Sequence, residues 1–373
     1  MRPVLDRVRN GCLQLLRNRD ISVDEQMIPF TRACQLRQYV PNKPHPVGLK
    51  NFVAACLDGL VVDFVVYQGA NTFMAFPPVL KLGTGGTVVA HLAETFEEGT
   101  HIYCDRYFTS INLTDFLQSK NVYVTETVMK NRVPATLDKL VPDKELQKRG
   151  CRASDVAVRE DGKMALVKWY DNKPILMLSA VHEKDPKDEC RRWCKKDKEY
   201  VAVKHPAIIQ EYNSEMGGVD LCDRMLAYYR MKKRTKKWTI RTMMHFFNLA
   251  LVNSWILYQW DTKVLKILRK DAHQFLAFKL DVAQIYLAAI DDKTVHSSGD
   301  MSDKEQSLPA KRHRTVEIPP APQCTAAANH LPEMTDVMNL MRCRMHRCNA
   351  KSKVRAVCCN VVLCIMTAHR NCF

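Results

Sequence analysis

Between Asp24 and Tyr67 three apolar, β-branched runs follow one another, VDEQMIPF, LKNFVAACL and GLVVDFVVY. Only PNKPHP and Asp58-Gly59, a common hairpin turn pair, interrupt them. The chain must therefore build a sheet near its start. Ahead of these runs, residues 1–20 read as an amphipathic helix, with Val4, Val8, Leu13 and Leu16 set among Arg and Asp. Beyond them, HIYCDRYF (101–108) is a short strand ending in an acid, SINLTDFLQSK is an amphipathic helix, and NVYVTETVMKN returns to strand. The fold class this predicts is α/β.

Residues 131–208 are mixed, with polar turns around the strands MALVKWY and ILMLSAV, and read as an inserted subdomain. Helical spacing runs from about Glu211 to Tyr258 with a basic break, then on to about Ile290. On it the stripe Ile240, Met244, Phe247, Leu251, Trp255 and Tyr258 is expected to face the core. Residues 291–329, rich in Ser, Asp, Lys and Pro, are expected to be a disordered linker. Within that linker Lys311-Arg312-His313-Arg314 is either a nuclear import signal or an ordinary solvated run.

With 373 residues, 46% of them hydrophobic, the chain can bury a substantial core and form two or three domains. Its formal charge of +16 favours a polyanion, nucleic acid or an acidic membrane face, against the alternative of an ordinary basic soluble protein. MRPVLDRVRN is too charged for a signal peptide, and no apolar run approaches the ~20 residues of a spanning helix. A nuclear or cytosolic protein is expected, with no membrane partner. Fifteen cysteines without a signal peptide then argue against disulfides.

Three acids stand where a metal-dependent nuclease needs them. Asp24 lies in a strand, Asp105 ends one, and Asp220 follows Gly217-Gly218 at the start of a helix, with Asp223 one turn on. An RNase H-like fold gathers such acids around two Mg²⁺ ions, which activate the attacking oxygen and stabilise the leaving one. Hard carboxylate oxygens suit Mg²⁺. From spacing alone, three strand-end aspartates also arise by chance.

The wording around the acids narrows this. DEQMIPF…RQYVPNKPHPVGLKNFV, DRYFTSINL and NSEMGGVDLCDRM resemble, in order and interval, the three acid-bearing blocks of piggyBac transposases and their domesticated relatives. VYVTETVMKNRVP, KWYDNKPILMLSAVH and KKWTIRTMMHFFNLALVNSWILY are similar to further blocks. The resemblance covers roughly 20–290 and, more loosely, 330–373. It implies an RNase H-like (DDE/D transposase) core begun by 1–130 and interrupted by the insertion at 131–208. Residues 209–290 then carry the third acid and a helical dimerisation and DNA-binding segment.

By the same resemblance Asp24, Asp105 and Asp220 match the Mg²⁺-binding catalytic triad, and Asp223 a supporting fourth acid. The family excises an element by nicking and hairpin formation and joins it to TTAA targets. The implied partners are double-stranded DNA and a second copy of the chain, and the implied location is the nucleus.

The departures matter as much. The family's chains begin far upstream of the first catalytic strand, so an N-terminal truncation is expected here. Arg106 follows Asp105 where asparagine is usual, and is expected to pair with it and compete with metal. PFTRAC departs from a glycine-containing turn, and Glu126 replaces a usual glycine. These favour a domesticated DNA-binding protein of reduced or no catalytic activity. An active endonuclease and strand transferase, or a non-functional transposon relic, are the alternatives.

Two further features bear on binding. YYRMKKRTKKW (228–238) packs Arg230, Lys232, Lys233, Arg234, Lys236 and Lys237 between flanking aromatics, as phosphate contacts require. The alternative is a solvated helix end, with Trp238 opening the next, buried helix. The tail at 330–373 carries Cys343, His346, Cys348, Cys358, Cys359, Cys364, His369 and Cys372, a donor set suited to tetrahedral Zn²⁺. It resembles the family's cysteine-rich cross-brace on element-end DNA in a damaged form, with Ala356 where a first cysteine is usual. One zinc site is expected, with free thiols as the alternative.

Overall fold

The computed structural model describes residues 1–41, 43–73, 81–150, 153–181, 187–194, 198–231, 235–296, 332–334, 341–343 and 351–356. They fall into two units, Met1–Val295 and His296–Phe373.

The first helix, α1 (Arg2–Leu13), buries Cys12 and rests Leu5, Val8 and Leu15 on the core. Leu16, expected on that apolar face, is 81% exposed because the helix has already ended. Arg9 ties α1 to the sheet. Its Nε donates to Asp63 Oδ1 at 2.7 Å and its Nη2 to Oδ2 at 3.1 Å, so the fully buried Asp63 is paired in bidentate fashion.

The sheet grows from β1 (Asp20–Pro29), with β2 (Arg37–Tyr39), β3 (Val47–Cys56) and β4 (Val61–Val66) following. β1 and β3 run antiparallel, Ile21 opposite Cys56 through Pro29 opposite Gly48. The chain turns into β4 at Asp58-Gly59, where Gly59 takes a φ of +89° that L side chains rarely adopt. After α2 (Gly83–Ala93) comes β5 (His101–Cys104), then α3 (Ile111–Gln118) and β6 (Tyr123–Thr127). β5 lies parallel to β1 and β6 parallel to β5. The order β4-β3-β1-β5-β6, three antiparallel strands followed by two parallel ones, is consistent with an RNase H-like core. Every residue from Gly48 to Cys56 is buried, so both faces of β3 are covered.

The segment read as an insertion holds α4 (Pro134–Leu137), α5 (Asp143–Lys148), β7 (Ser154–Val158), β8 (Ala165–Tyr170) and β9 (Pro174–Ser179). β9 pairs with β6, and β8 and β7 continue outward, so these strands extend the same nine-stranded sheet. A two-stranded ribbon, β10 (Lys187–Cys194) and β11 (Glu199–Pro206), leads into α6 (Ala207–Glu215) and α7 (Gly218–Ala227).

Next come α8 (Trp238–Val264) and α9 (Phe275–His296), which runs into the start of the expected linker. The remainder of that linker, 297–329, lies outside the described residues. In the second unit β12 (Pro332–Met334) pairs with β15 (Val354–Ala356), and β13 (Met341–Arg342) with β14 (Lys351–Ser352).

The core face of α8 differs from the expected stripe. Phe246, Leu249, Val252 and Ile256 are buried, whereas Phe247 is 43% exposed. Trp255 and Tyr258 instead stack on each other and meet Phe275 and Phe278 of α9. The helix is apolar around most of its circumference, so a 3.6-residue period fits two faces equally well. Asn253 sits on the core face, where its side chain accepts from Val61 N at 3.0 Å and donates to Val61 O at 2.8 Å. In effect its amide extends the ladder along β4.

Candidate functional site

Parallel pairing of β1 with β5 ends at Val23 opposite Cys104, so the next residues, Asp24 and Asp105, leave neighbouring strands at the same level. Ser22, Asp24 and Gln26 alternate onto one face of β1. α7 packs against β1 and β3, and Gly218 allows it: a Cβ there would lie 2.3 Å from Cys56 O and 2.6 Å from Ser22 Oγ. The glycine pair thus sets the first turn of α7, bringing Asp220 and, one turn on, Asp223 to this edge of the sheet.

Asp223 is held by a chain of buried amides. Gln26 Nε2 donates to Asp223 Oδ1 at 2.6 Å. Gln26 Oε1 in turn accepts from Asn51 Nδ2 at 3.2 Å and from His245 Nε2 at 2.8 Å. This assigns the imidazole proton to Nε2. Burial, aided by the charge of Arg230, pushes His245 down to about 3, so it stays neutral. Packing around its carboxylate raises the Asp223 pKa as well, against the Gln26 hydrogen bond, although the residue as a whole is exposed.

Asp24 is likewise pushed up to about 6, mainly by burial, with Lys43 opposing the shift and Glu25 adding to it. Burial raises Asp105 as well, opposed by a hydrogen bond from Tyr107 N at 2.8 Å.

The cation paired with Asp24 is Lys43. Its Nζ stands 3.3 Å from Asp24 Oδ2, 3.0 Å from Glu25 O and 4.0 Å from Glu25 Oε1. Burial alone would lower the Lys43 pKa, but Asp24, Glu25 and Asp220 together raise it, so it remains charged. Arg106, expected to pair with Asp105, is exposed and forms no ion pair with it among the described residues. Its charge still lowers the Asp105 pKa, but the cation bonded to an acid comes from the PNKPHP loop.

Four carboxylates at one edge of the sheet are the right chemistry for Mg²⁺. Their placement is not. Among the described residues no three His, Cys, Asp or Glu side chains stand close enough to hold one metal ion. Lys43 also engages the Asp24 oxygen that a metal would need. As arranged, the residues do not fit a two-metal site.

Glu126 sits one strand further in, opposite Cys104 in the β5–β6 register. Its side chain is fully buried, accepting from Cys104 Sγ and Thr114 Oγ1, each at 3.4 Å. Burial pushes its carboxyl up to about 8 against these weak hydrogen bonds.

Of the basic run, Lys236 and Lys237 are exposed and Arg230 is half-buried, while Lys232, Lys233 and Arg234 lie outside the described residues. Tyr228 and Tyr229 are exposed. In the tail Cys343 is buried; His346, Cys348, Cys358, Cys359, Cys364, His369 and Cys372 lie outside the described residues.

Sequence reasoning missed Gln26, Lys43, Asn51 and His245. A signal was present for two of them: Gln26 shares the strand face of Asp24, and His245 interrupts an apolar helix.

Comparison with known proteins gives a consistent result. The family described as Transposase IS4 matches residues 1–255. Human PiggyBac transposable element-derived protein 3 is 31% identical over 297 residues, covering 77% of this chain and 47% of its own length. Human PiggyBac transposable element-derived protein 2 is 28% identical, covering 73% and 45%. The chain thus spans about half the length of these curated relatives. Among solved structures, the fold is similar to that of the piggyBac transposase synaptic complex with hairpin DNA. The TM-score is 0.62 at 22% identity, covering 80% of this chain and 58% of that one.

Proposed function

Because the chain belongs to the piggyBac-type transposase family, we propose that it is a domesticated DNA-binding protein that keeps the family's acid-bearing core but neutralises it from within. The observation that carries this reading is the Lys43–Asp24 ion pair, which leaves the first acid with a protein counter-ion where the family would place a metal. Nuclease activity is then reduced or absent. A net charge of +16 and the exposed Lys236 and Lys237 supply phosphate contacts to double-stranded DNA. On this reading the Cys/His tail is a zinc module that assists DNA contact, a homodimer forms through the helical segment, and the protein acts in the nucleus.

Active endonuclease is the second reading. It is favoured by the retention of Asp24, Asp105, Asp220 and Asp223 at one edge of the sheet.

Anisotropy titrations of a labelled duplex over a range of salt concentrations test the binding. Replacing Lys233, Lys236 and Lys237 by Gln should weaken binding to every sequence and flatten the slope of log K against log salt by up to ~0.9 per lost contact. Asp220→Ala should leave affinity unchanged or slightly higher, because it removes a negative charge facing phosphate. An unaltered slope in the triple variant would mean that the basic run is a solvated face.

A further inference from the structure

A cavity of about 480 Å³ opens beside the acids, walled by α7, α8, the end of β1 and the Lys43–His45 turn. α7 contributes Asp220, Asp223 and Arg224 to it, and α8 contributes Arg241 and His245. Cations outnumber carboxylates on its wall, with Lys43, Arg224, Arg230 and Arg241 set against Asp220 and Asp223.

Much of that charge is already committed. Lys43 is bound to Asp24 and Glu25, and Asp223 is tied to Gln26. His245 is neutral and turned to Gln26. The guanidinium of Arg241 is different: its Nε is buried and has no hydrogen-bond partner among the described residues. Arg230 stands half-buried near it, and after burial the like charge of Arg241 is the next largest influence lowering its pKa. Two guanidinium groups thus crowd one cavity without a carboxylate bonded to either among the described residues. A buried donor without a partner is costly, and close like charges repel; an anion in the cavity relieves both.

We propose that this cavity is a phosphate subsite in which Arg230 and Arg241 clamp one backbone phosphate of a DNA strand passing the acid-bearing edge. This rests on the DNA-binding reading above. The two planar forks match the oxygens of a phosphodiester, which offers bidentate contact to each. The cavity is larger than a lone phosphate ion needs and leaves room for the attached sugar. Of the acids on its wall, Asp223 is turned to Gln26, which limits its repulsion of the strand.

The test uses the full chain and the variants Arg241→Gln, Arg241→Lys and Arg230→Gln, with two probes: a labelled duplex and inorganic phosphate. Without ligand, Arg241→Gln should melt no lower than wild type, since it removes a like-charge neighbour of Arg230. It should weaken duplex binding about tenfold, the loss of one charge-assisted hydrogen-bonding group. Its salt slope should fall by ~0.9. Arg241→Lys should keep the slope while losing part of the affinity, because the charge stays and the fork goes. Inorganic phosphate should raise the melting temperature of wild type more than that of Arg241→Gln, and should compete with the duplex.

If Arg241→Gln binds duplex with the wild-type slope, the phosphate subsite is overturned while binding through the basic run stands. If wild type fails to bind duplex yet gains Arg241-dependent stability from phosphate, the backbone assignment and the DNA-binding reading both fall, and the cavity takes a free phosphate. Should Arg241→Gln misfold, Arg230→Gln carries the same comparison, and an unaltered slope there overturns the clamp.

Discussion

Replacing Glu126 by Gln is expected to make the protein more stable in alkaline solution, with a gain on the order of 5 kcal/mol above pH 8. The carboxyl lies fully buried between Cys104 and Thr114, and burial raises its pKa to about 8. The folded state therefore holds a proton that the unfolded chain releases near the ordinary carboxylate value. With the folded pKa above the unfolded one, the native state's tolerance of Glu126 is complete below the unfolded value. It is lost progressively as pH rises through about 8. Glutamine has nearly the same shape and no charge to bury, so its contribution stays flat. Urea midpoints of both proteins at pH 5.5 and pH 9 check this. An advantage of equal size at the two pH values would mean that Glu126 is not buried as a neutral acid.

The second large effect concerns Lys43. Lys43→Met removes the ammonium from Asp24 and Glu25, whose Oε2 is already buried without a hydrogen-bond partner. Leaving a buried carboxylate unpaired costs about 3–5 kcal/mol, and the partial exposure of this pair reduces that to about 2. The sign with pH follows from Asp24. Its pKa, already raised to about 6 by burial, climbs further once Lys43 no longer opposes the shift. The variant's deficit is therefore small where Asp24 is protonated in the folded protein, below about 6, and grows as pH rises above that. Urea midpoints of both proteins at pH 4 and pH 8 check this: a deficit of equal size at the two pH values would mean lost packing rather than lost pairing.

The elements around the site were legible because their signals are local. Alternating β-branched runs and Asp58-Gly59 specify the hairpin of β3 and β4, and the glycine pair marks where α7 starts. Contacts between distant segments left no such trace. Lys43 reaches Asp24 only after the PNKPHP loop folds back over β1. His245 meets Gln26 across 219 residues of chain. The core face of α8 differs from the expected stripe because apolar residues surround the helix, and Asn253 lies on that core face, bonded to β4. Leu16 was expected to be apolar-facing because periodicity does not say that a helix stops at Leu13. Glu126 was legible as a departure from a family pattern, but its burial depends on Thr114 in α3 and Cys104 in β5.

The central claim is that the acid-bearing edge contacts DNA without cutting it. The most direct measurement is nicking of supercoiled DNA by the full chain in the presence of Mg²⁺, beside an Asp24→Asn/Asp105→Asn double variant of matched DNA affinity. The expected result is that wild type nicks no faster than the double variant while both bind the DNA. Nicking by wild type that disappears in the double variant would contradict it, and would show that metal displaces Lys43 from Asp24.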